Sequence, residues 1–224
     1  MRGRFRVGVL VFAFVVLAGV LFWGAAHWKP DAAAYPVQGV DVSEENGVVA
    51  WPTVEAAGAD FAYIKATEGA DSADPNFAEN WEKADAAGLR RGAYHVYSLC
   101  RPALDQATNF ISIVERDQTA LPAAVKLTLS GNCDDRPERA QVLRDLTRFI
   151  QMVEAHTGKT IILGLSRDFE RNYEISSAID RPLWLTGFFL RPSYANRDWA
   201  MWQASTFRRV KGIQGSTNWN VIQQ

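Results

Sequence analysis

From Val37 onward, short apolar runs alternate with longer amphipathic ones, and this alternation constrains the fold more than any other feature of the chain. The runs at 38–42, 60–66, 91–97, 123–129, 160–165, 182–186 and 199–204 have the length and composition of strands. Helices are predicted between several of them. One starts at Asp74-Pro75, a cap followed by proline at the first helical position, sets Phe77, Trp81 and Ala84 on one face, and stops at Gly88. Another starts near Pro137 and carries Val142, Leu146, Phe149, Ile150 and Val153 at helical spacing as far as Gly158. Such alternation predicts an α/β fold with a parallel sheet and crossover helices, either an open doubly wound sheet or a compact barrel. Both place function at the C-terminal ends of the strands. That rule selects Asp41, Lys65 with Glu68, the stretch from His95 to Cys100, the stretch from Lys126 to Cys133, and Trp202-Gln203.

A different kind of segment precedes this pattern. The first 26 residues hold Arg2, Arg4 and Arg6, no acid, and then an uncharged run from Val7 to Ala26 that is long enough to span a bilayer as a helix. The best signal-cleavage candidate, Ala32-Ala33-Ala34, lies well beyond the run, which favours an uncleaved anchor over a secretory signal. Arginines before the run keep the N-terminus cytoplasmic and send the rest of the chain outward, and Trp23 and Trp28 fall where interfacial aromatics are expected. The expected organisation is an anchor at 1–26, a small and polar linker at 27–36 and one domain at 37–224.

Composition removes several functions. A formal net charge of -1 gives no basic surface for nucleic acid. Neither G-x-G-x-x-G nor G-x-x-x-x-G-K-[ST] follows a strand, so nucleotide binding loses its main support. Two cysteines and three histidines assemble no metal site at recognisable spacing, and no metal or cofactor is expected.

Six segments carry a family resemblance: G-V-D-V-S at 39–43, F-A-Y-I-K-A-T-E-G at 61–69, D-P-x-F-x-x-N at 74–80, A-A-G-L-x-x-G-A-Y-H at 86–95, P-L-W at 182–184 and W-Q at 202–203. In order and spacing they resemble glycoside hydrolase family 25, the Chalaropsis-type lysozymes, over about 37–222. Y-S-L-C at 97–100 and G-N-C at 131–133 are similar to a bacterial subgroup. The resemblance implies an irregular parallel (β/α) barrel and cleavage of the muramic acid linkage in peptidoglycan. It also implies four acidic positions: one in the first strand, a D-x-E pair at the end of the fourth, and a late aspartate. Here the first is retained as Asp41, the pair falls on Lys126 and Thr128, and the last falls on Asn218. Glycoside hydrolysis needs a proton donor and a second carboxylate, and neither lysine nor threonine supplies an acid poised near neutral pH. A tyrosine and an aromatic common in the family are replaced by Leu163 and Ala204.

The chain therefore reads as a degenerate muramidase fold, in which Asp41 is expected to pair with Lys126. Groove candidates are Glu68, Tyr94, His95, Trp202 and Gln203, although a histidine at the end of the third strand is more often a satisfied core residue. Trp51, Trp81, Trp184, Trp199 and Trp219 offer further rings for sugar stacking, with most of them expected in the core. Cys100 and Cys133 follow adjacent strands and are expected to pair in an oxidising compartment, the alternative being two unlinked thiols. Three functions follow: a pseudoenzyme in the inner membrane whose periplasmic domain binds peptidoglycan or a cell-wall enzyme; a slow muramidase using Asp41 with Glu68, Asp134 or Asp135; and an interaction domain with a closed groove. Secretion after signal cleavage is the alternative localisation.

Overall fold

A computed structural model describes residues 2–131 and 133–223, with side chains from residue 9 onward; Asn132 of the G-N-C piece lies outside the described residues. The strands are β1 (Gln38–Val42), β2 (Phe61–Glu68), β3 (Ser72–Ala73), β4 (Arg90–Val96), β5 (Ala124–Leu127), β6 (Ile162–Leu165), β7 (Leu183–Thr186), β8 (Met201–Arg208) and β9 (Thr217–Ile222). The helices are α1 (Arg2–His27), α2 (Trp51–Ala56), α3 (Phe77–Ala86), α4 (Ala103–Ile113), α5 (Arg139–Thr157), α6 (Arg167–Tyr173) and α7 (Ile175–Ala178).

Eight strands close a barrel in the order β1, β2, β4, β5, β6, β7, β8, β9, and β3 hangs from β2 as a short antiparallel flap. Each pairing from β1 to β8 is parallel. The closing strand differs, because β9 runs antiparallel to both β8 and β1. This is the irregular parallel barrel expected, its parallel run closed by one antiparallel strand that is absent from the seven runs read in the sequence.

Side chains alternate across the barrel wall. Phe61, Tyr63, Tyr94, Ala124, Trp184 and Met201 form a cluster separate from the main core and fill the barrel interior. Gly92 makes room for it: a Cβ there would lie 2.5 Å from the Tyr63 ring. Outside, α5 buries Val142, Leu146, Phe149, Ile150 and Val153, the stripe expected from its spacing, and ends where Gly158 adopts φ 72°. α3 starts later than expected. Asn76 takes its cap position, while Asp74 accepts hydrogen bonds from the backbone N–H of Asn76 (2.8 Å) and of Glu44 (2.7 Å) and so ties the helix start to the loop after β1.

A helix precedes each of β2, β4, β5, β6 and β7 in the chain, whereas none lies between β7 and β8 or between β8 and β9. The segment at 27–36, expected to be a linker, does the covering there. Trp28 and Tyr35 pack on the core, with their rings 6.4 and 5.8 Å from Trp202. Gln38 Nε2 donates to the carbonyls of Pro30 and Tyr35, and Lys29 Nζ lies 5.5 Å from the Trp219 ring centre. α1 itself ends against the domain: Arg209 N–H donates to the Ala26 carbonyl at 2.8 Å, and the Arg208 guanidinium donates to those of His27 and Trp28.

Cys100 and Cys133 are joined in a disulfide with a Cα separation of 5.6 Å, linking the loop after β4 to the loop after β5. Closing a loop of this size removes unfolded-state entropy worth about 3–4 kcal/mol in the chain-entropy model. Cys100→Ser and Cys133→Ser should therefore each lower the melting temperature by roughly 6–15 °C. Calorimetry under non-reducing conditions checks this, and reduced wild type should melt with the two variants.

Candidate functional site: a lysine over a buried aspartate at the barrel mouth

β1 places Asp41 between Tyr63 of β2 and Asn218 of β9, facing the barrel axis near its C-terminal mouth. Its side chain is 1% exposed. Burial of a carboxylate demands partners, and β5 and β9 supply three. Oδ2 accepts from Lys126 Nζ and from Asn218 Nδ2 (2.8 Å), and Oδ1 accepts from Asn220 Nδ2 (2.8 Å). The side-chain Oδ1 of Asn220 in turn accepts from Trp184 Nε1 at 2.9 Å, which fixes the amide orientation.

Lys126 lies above the carboxylate as a lid. Its ammonium sits 4.4 Å from the Tyr94 ring centre and 4.5 Å from that of Trp184, so two aromatic faces and one carboxylate hold the cation. Gly164, its neighbour across the β5–β6 pairing, leaves space for the lysine stem, since a Cβ there would come 3.2 Å from Lys126 Cγ. Burial, and then the nearby Asp41 charge, push the Tyr94 hydroxyl well above its ordinary range.

A cavity of about 510 Å³ opens over this floor at the mouth of β4 to β9. Lys126, Thr128, Trp184, Gln203 and Asn218 line it, and Asp168 is the one carboxylate among its described lining residues. Thr128 stands just past the end of β5, where its hydroxyl pairs with that of Ser130 at 2.9 Å. Asp168 accepts from the Ser166 hydroxyl and from Phe169 N–H at the start of α6.

The other groove candidates divide by strand phase. Tyr94 and Gln203 point inward, so their neighbours His95 and Trp202 point outward; Trp202 is corrected from groove to core, and His95 takes the core place that is commoner for a histidine there. His95 is fully buried, with Nδ1 2.8 Å from the Thr67 hydroxyl and Nε2 3.1 Å from Gln106 Oε1. Gln106 Nε2 donates to the carbonyls of Ser98 and Arg101, so its Oε1 faces the ring and His95 Nε2 carries the proton. Trp202 is 3% exposed and donates from Nε1 to the Gly187 carbonyl. Trp51 and Trp219 are also fully buried, bonded to Asn80 and Gln38. Glu68 is engaged by Lys65 Nζ at 2.8 Å, and Asp134 and Asp135 are exposed beyond the disulfide; none of the three lines the cavity.

Sequence reasoning missed Asn220, Asp168 and the central place of Trp184. The i, i+2 spacing of Asn218 and Asn220 was the available signal for the first, and position just past a strand end for the second.

Chemically, the site holds a neutralised carboxylate beneath a cation, with one carboxyl on the cavity wall. Inversion or retention at a sugar carbon uses two carboxyl groups facing each other across the bond. Asp41 has both oxygens committed, and Lys126 stands between it and the cavity.

A barrel with one antiparallel closing strand and its site at the C-terminal mouth is the architecture of a lysozyme-type glycosidase. The model of Glycosyl hydrolases family 25 matches residues 40–213, and the chain belongs to that family. It is 32% identical over 196 residues to the "Uncharacterized protein YegX" of Escherichia coli (strain K12), covering 85% of this chain and 71% of that protein. It is 31% identical over 199 residues to "Lysozyme M1" of Streptomyces globisporus, covering 82% and 67%. Among solved structures, a family 25 glycosyl hydrolase from Bacillus anthracis superposes with a TM-score of 0.79 at 31% identity, over 88% of this chain and 92% of that one. A bacterial lysozyme from Streptomyces coelicolor gives 0.74 at 28% identity, over 84% and 92%.

Two predictions follow from this geometry. Lys126→Met strands a buried carboxylate and should cost about 3 kcal/mol, while the double change with Asp41→Asn should recover most of that loss; denaturant titration of the four proteins measures the coupling. His95 supplies a pH signature. Burial holds its pKa down to about 4, against about 6.5 in the unfolded chain, so the unfolded state binds the extra proton between those values. Stability from this residue is present above pH 6.5 and is lost as pH falls towards 4, by about 3 kcal/mol in all. The loss should shrink in His95→Gln, as read from unfolding free energies at pH 7 and pH 4.5.

Proposed function

We propose that this chain is a catalytically silent family 25 domain, anchored in the inner membrane by α1, that binds peptidoglycan glycan strands in the periplasm. The observation that carries the reading is the Lys126–Asp41 pair: the retained family acid is sequestered under a cation where hydrolysis needs a free carboxyl. The groove above it is not filled by the lysine, and its lining of Trp184, Gln203, Thr128 and Asn218 suits saccharide hydroxyls and ring faces. These two facts favour binding over both slow hydrolysis and a closed interaction surface. The anchor reading draws on the helical stretch Val9–His27, with mean hydropathy 2.6 in its most apolar window, and on the three arginines before it.

The test uses the full-length protein in detergent with purified peptidoglycan. The protein should cosediment with the wall material and generate no new reducing ends near neutral pH, in wild type and in Asp41→Ala alike. Muropeptide release by wild type that disappears in Asp41→Ala would overturn the silent-site reading. Mass spectrometry of the same preparation should find residues 1–26 present, and a mature N-terminus near Tyr35 would overturn the anchor.

A further inference from the structure

Four large apolar side chains stand out from the domain surface on the side where α1 ends: Phe188 (44% exposed), Phe189 (40%), Leu190 (76%) and Phe207 (46%). They form one patch. Phe207 lies 5.5 Å from Phe188 and 6.3 Å from Phe189, and Phe189 lies 5.1 Å from Trp28, the first residue after α1. The loop that carries them is tied down: Gly187 N–H donates to the Gln203 carbonyl and Phe189 N–H to that of Ala204, with Phe189 held at φ 62°. A non-glycine residue fixed in the left-handed region marks a loop shaped by its surroundings, here with its apolar side chains held outward.

We infer that this patch is a second membrane contact, docking into the headgroup–acyl boundary of the leaflet from which α1 emerges. The inference rests on the anchor reading above. Its first support is continuity. The Ala26, His27 and Trp28 carbonyls are bonded to Arg208 and Arg209, so the end of the apolar helix has a fixed place on the domain, and Phe189 touches the residue at that end. Whatever depth Trp28 takes at the bilayer surface, the patch shares it. Charge is the second support. Between Trp199 and Gln224 the sequence holds no acid; Arg208 is committed to the His27 and Trp28 carbonyls, while the exposed Arg209 and Lys211, and Arg191 directly after Leu190, suit lipid phosphates. The third is chemistry. Leu190, the most exposed of the four, has no ring for a sugar, and the Phe189 and Phe207 rings already stack on each other at an interplanar angle of 7°. Aromatic and aliphatic side chains beside cations are the composition of an interfacial membrane contact. Phe188 also lines the groove, so docking would set one edge of the groove beside the membrane surface and leave the rest of its mouth open to glycan.

The experiment uses the full chain in nanodiscs of phosphatidylethanolamine and phosphatidylglycerol. Leu190→Cys, labelled with an environment-sensitive fluorophore without reductant, should emit at shorter wavelength and be quenched at least about twofold by acyl-brominated lipid. The same label at Ser112→Cys, on α4 across the barrel, should be unaffected. Adding Phe189→Ser and Phe207→Ser should remove the quenching at 190. Alkaline carbonate extraction tests the anchor separately. A chain that stays in the membrane while the label at 190 behaves like the label at 112 overturns the docking and leaves the anchor standing; a chain that is extracted overturns both. Loss of peptidoglycan cosedimentation in the Phe189→Ser, Phe207→Ser protein, with no quenching at 190 in its parent, would assign the patch to the glycan instead.

Discussion

Burial of the Asp41 carboxylate is the constraint on which the mouth of this barrel depends. An ionised group with almost no solvent contact is tolerated only when its lone pairs are met, and here one residue of β5 and two of β9 meet them. Those three donors pull together strands far apart in sequence, at the seam where the parallel run is closed by a strand of opposite direction. Lys126 is in turn oriented by Tyr94 and Trp184, and Trp184 is oriented by Asn220. Replacing any member leaves a neighbour unpaired in a low-dielectric interior, which is why such a network behaves as a unit.

Lys126 and Asn218 together set the electrostatics of the floor. Asn218 stands where the family resemblance implies an aspartate, and its amide donates to Asp41 where a carboxylate would repel it. Lys126 supplies the cation that makes deep burial of Asp41 tolerable. The result is a floor of hydrogen-bonding groups and aromatic surface around one ion-paired carboxylate.

Much of the architecture was legible because helix and strand periods are written plainly in the chain. The stripe from Val142 to Val153, the Gly158 stop and all seven apolar runs have counterparts in the fold. β9 was not read, since its inward positions are the polar Asn218 and Asn220, and a strand whose interior face is a polar site lacks the usual signature. Trp202 was placed in the groove, and His95 kept as a candidate for it, for a related reason: proximity to a strand end says nothing about phase, and their neighbours Tyr94 and Gln203 take the inward side. The segment from 27 to 36 looked like a tether by composition. Only the missing crossover helices around β8 and β9 explain why Trp28 and Tyr35 are folded onto the barrel.

That last arrangement bears on how the domain could be shed. A cut within Ala32-Ala33-Ala34 would remove Trp28 and Lys29 together with the helix, stripping cover from the outer face of β8 and β9 where Trp202 and Trp219 lie. It would also take away the Pro30 carbonyl that Gln38 uses. The released fragment would carry an uncovered aromatic seam, prone to self-association and to further digestion. Helix α1 and the segment that clads β8 and β9 are one continuous piece of chain, so removal of the helix and loss of that cover are coupled events.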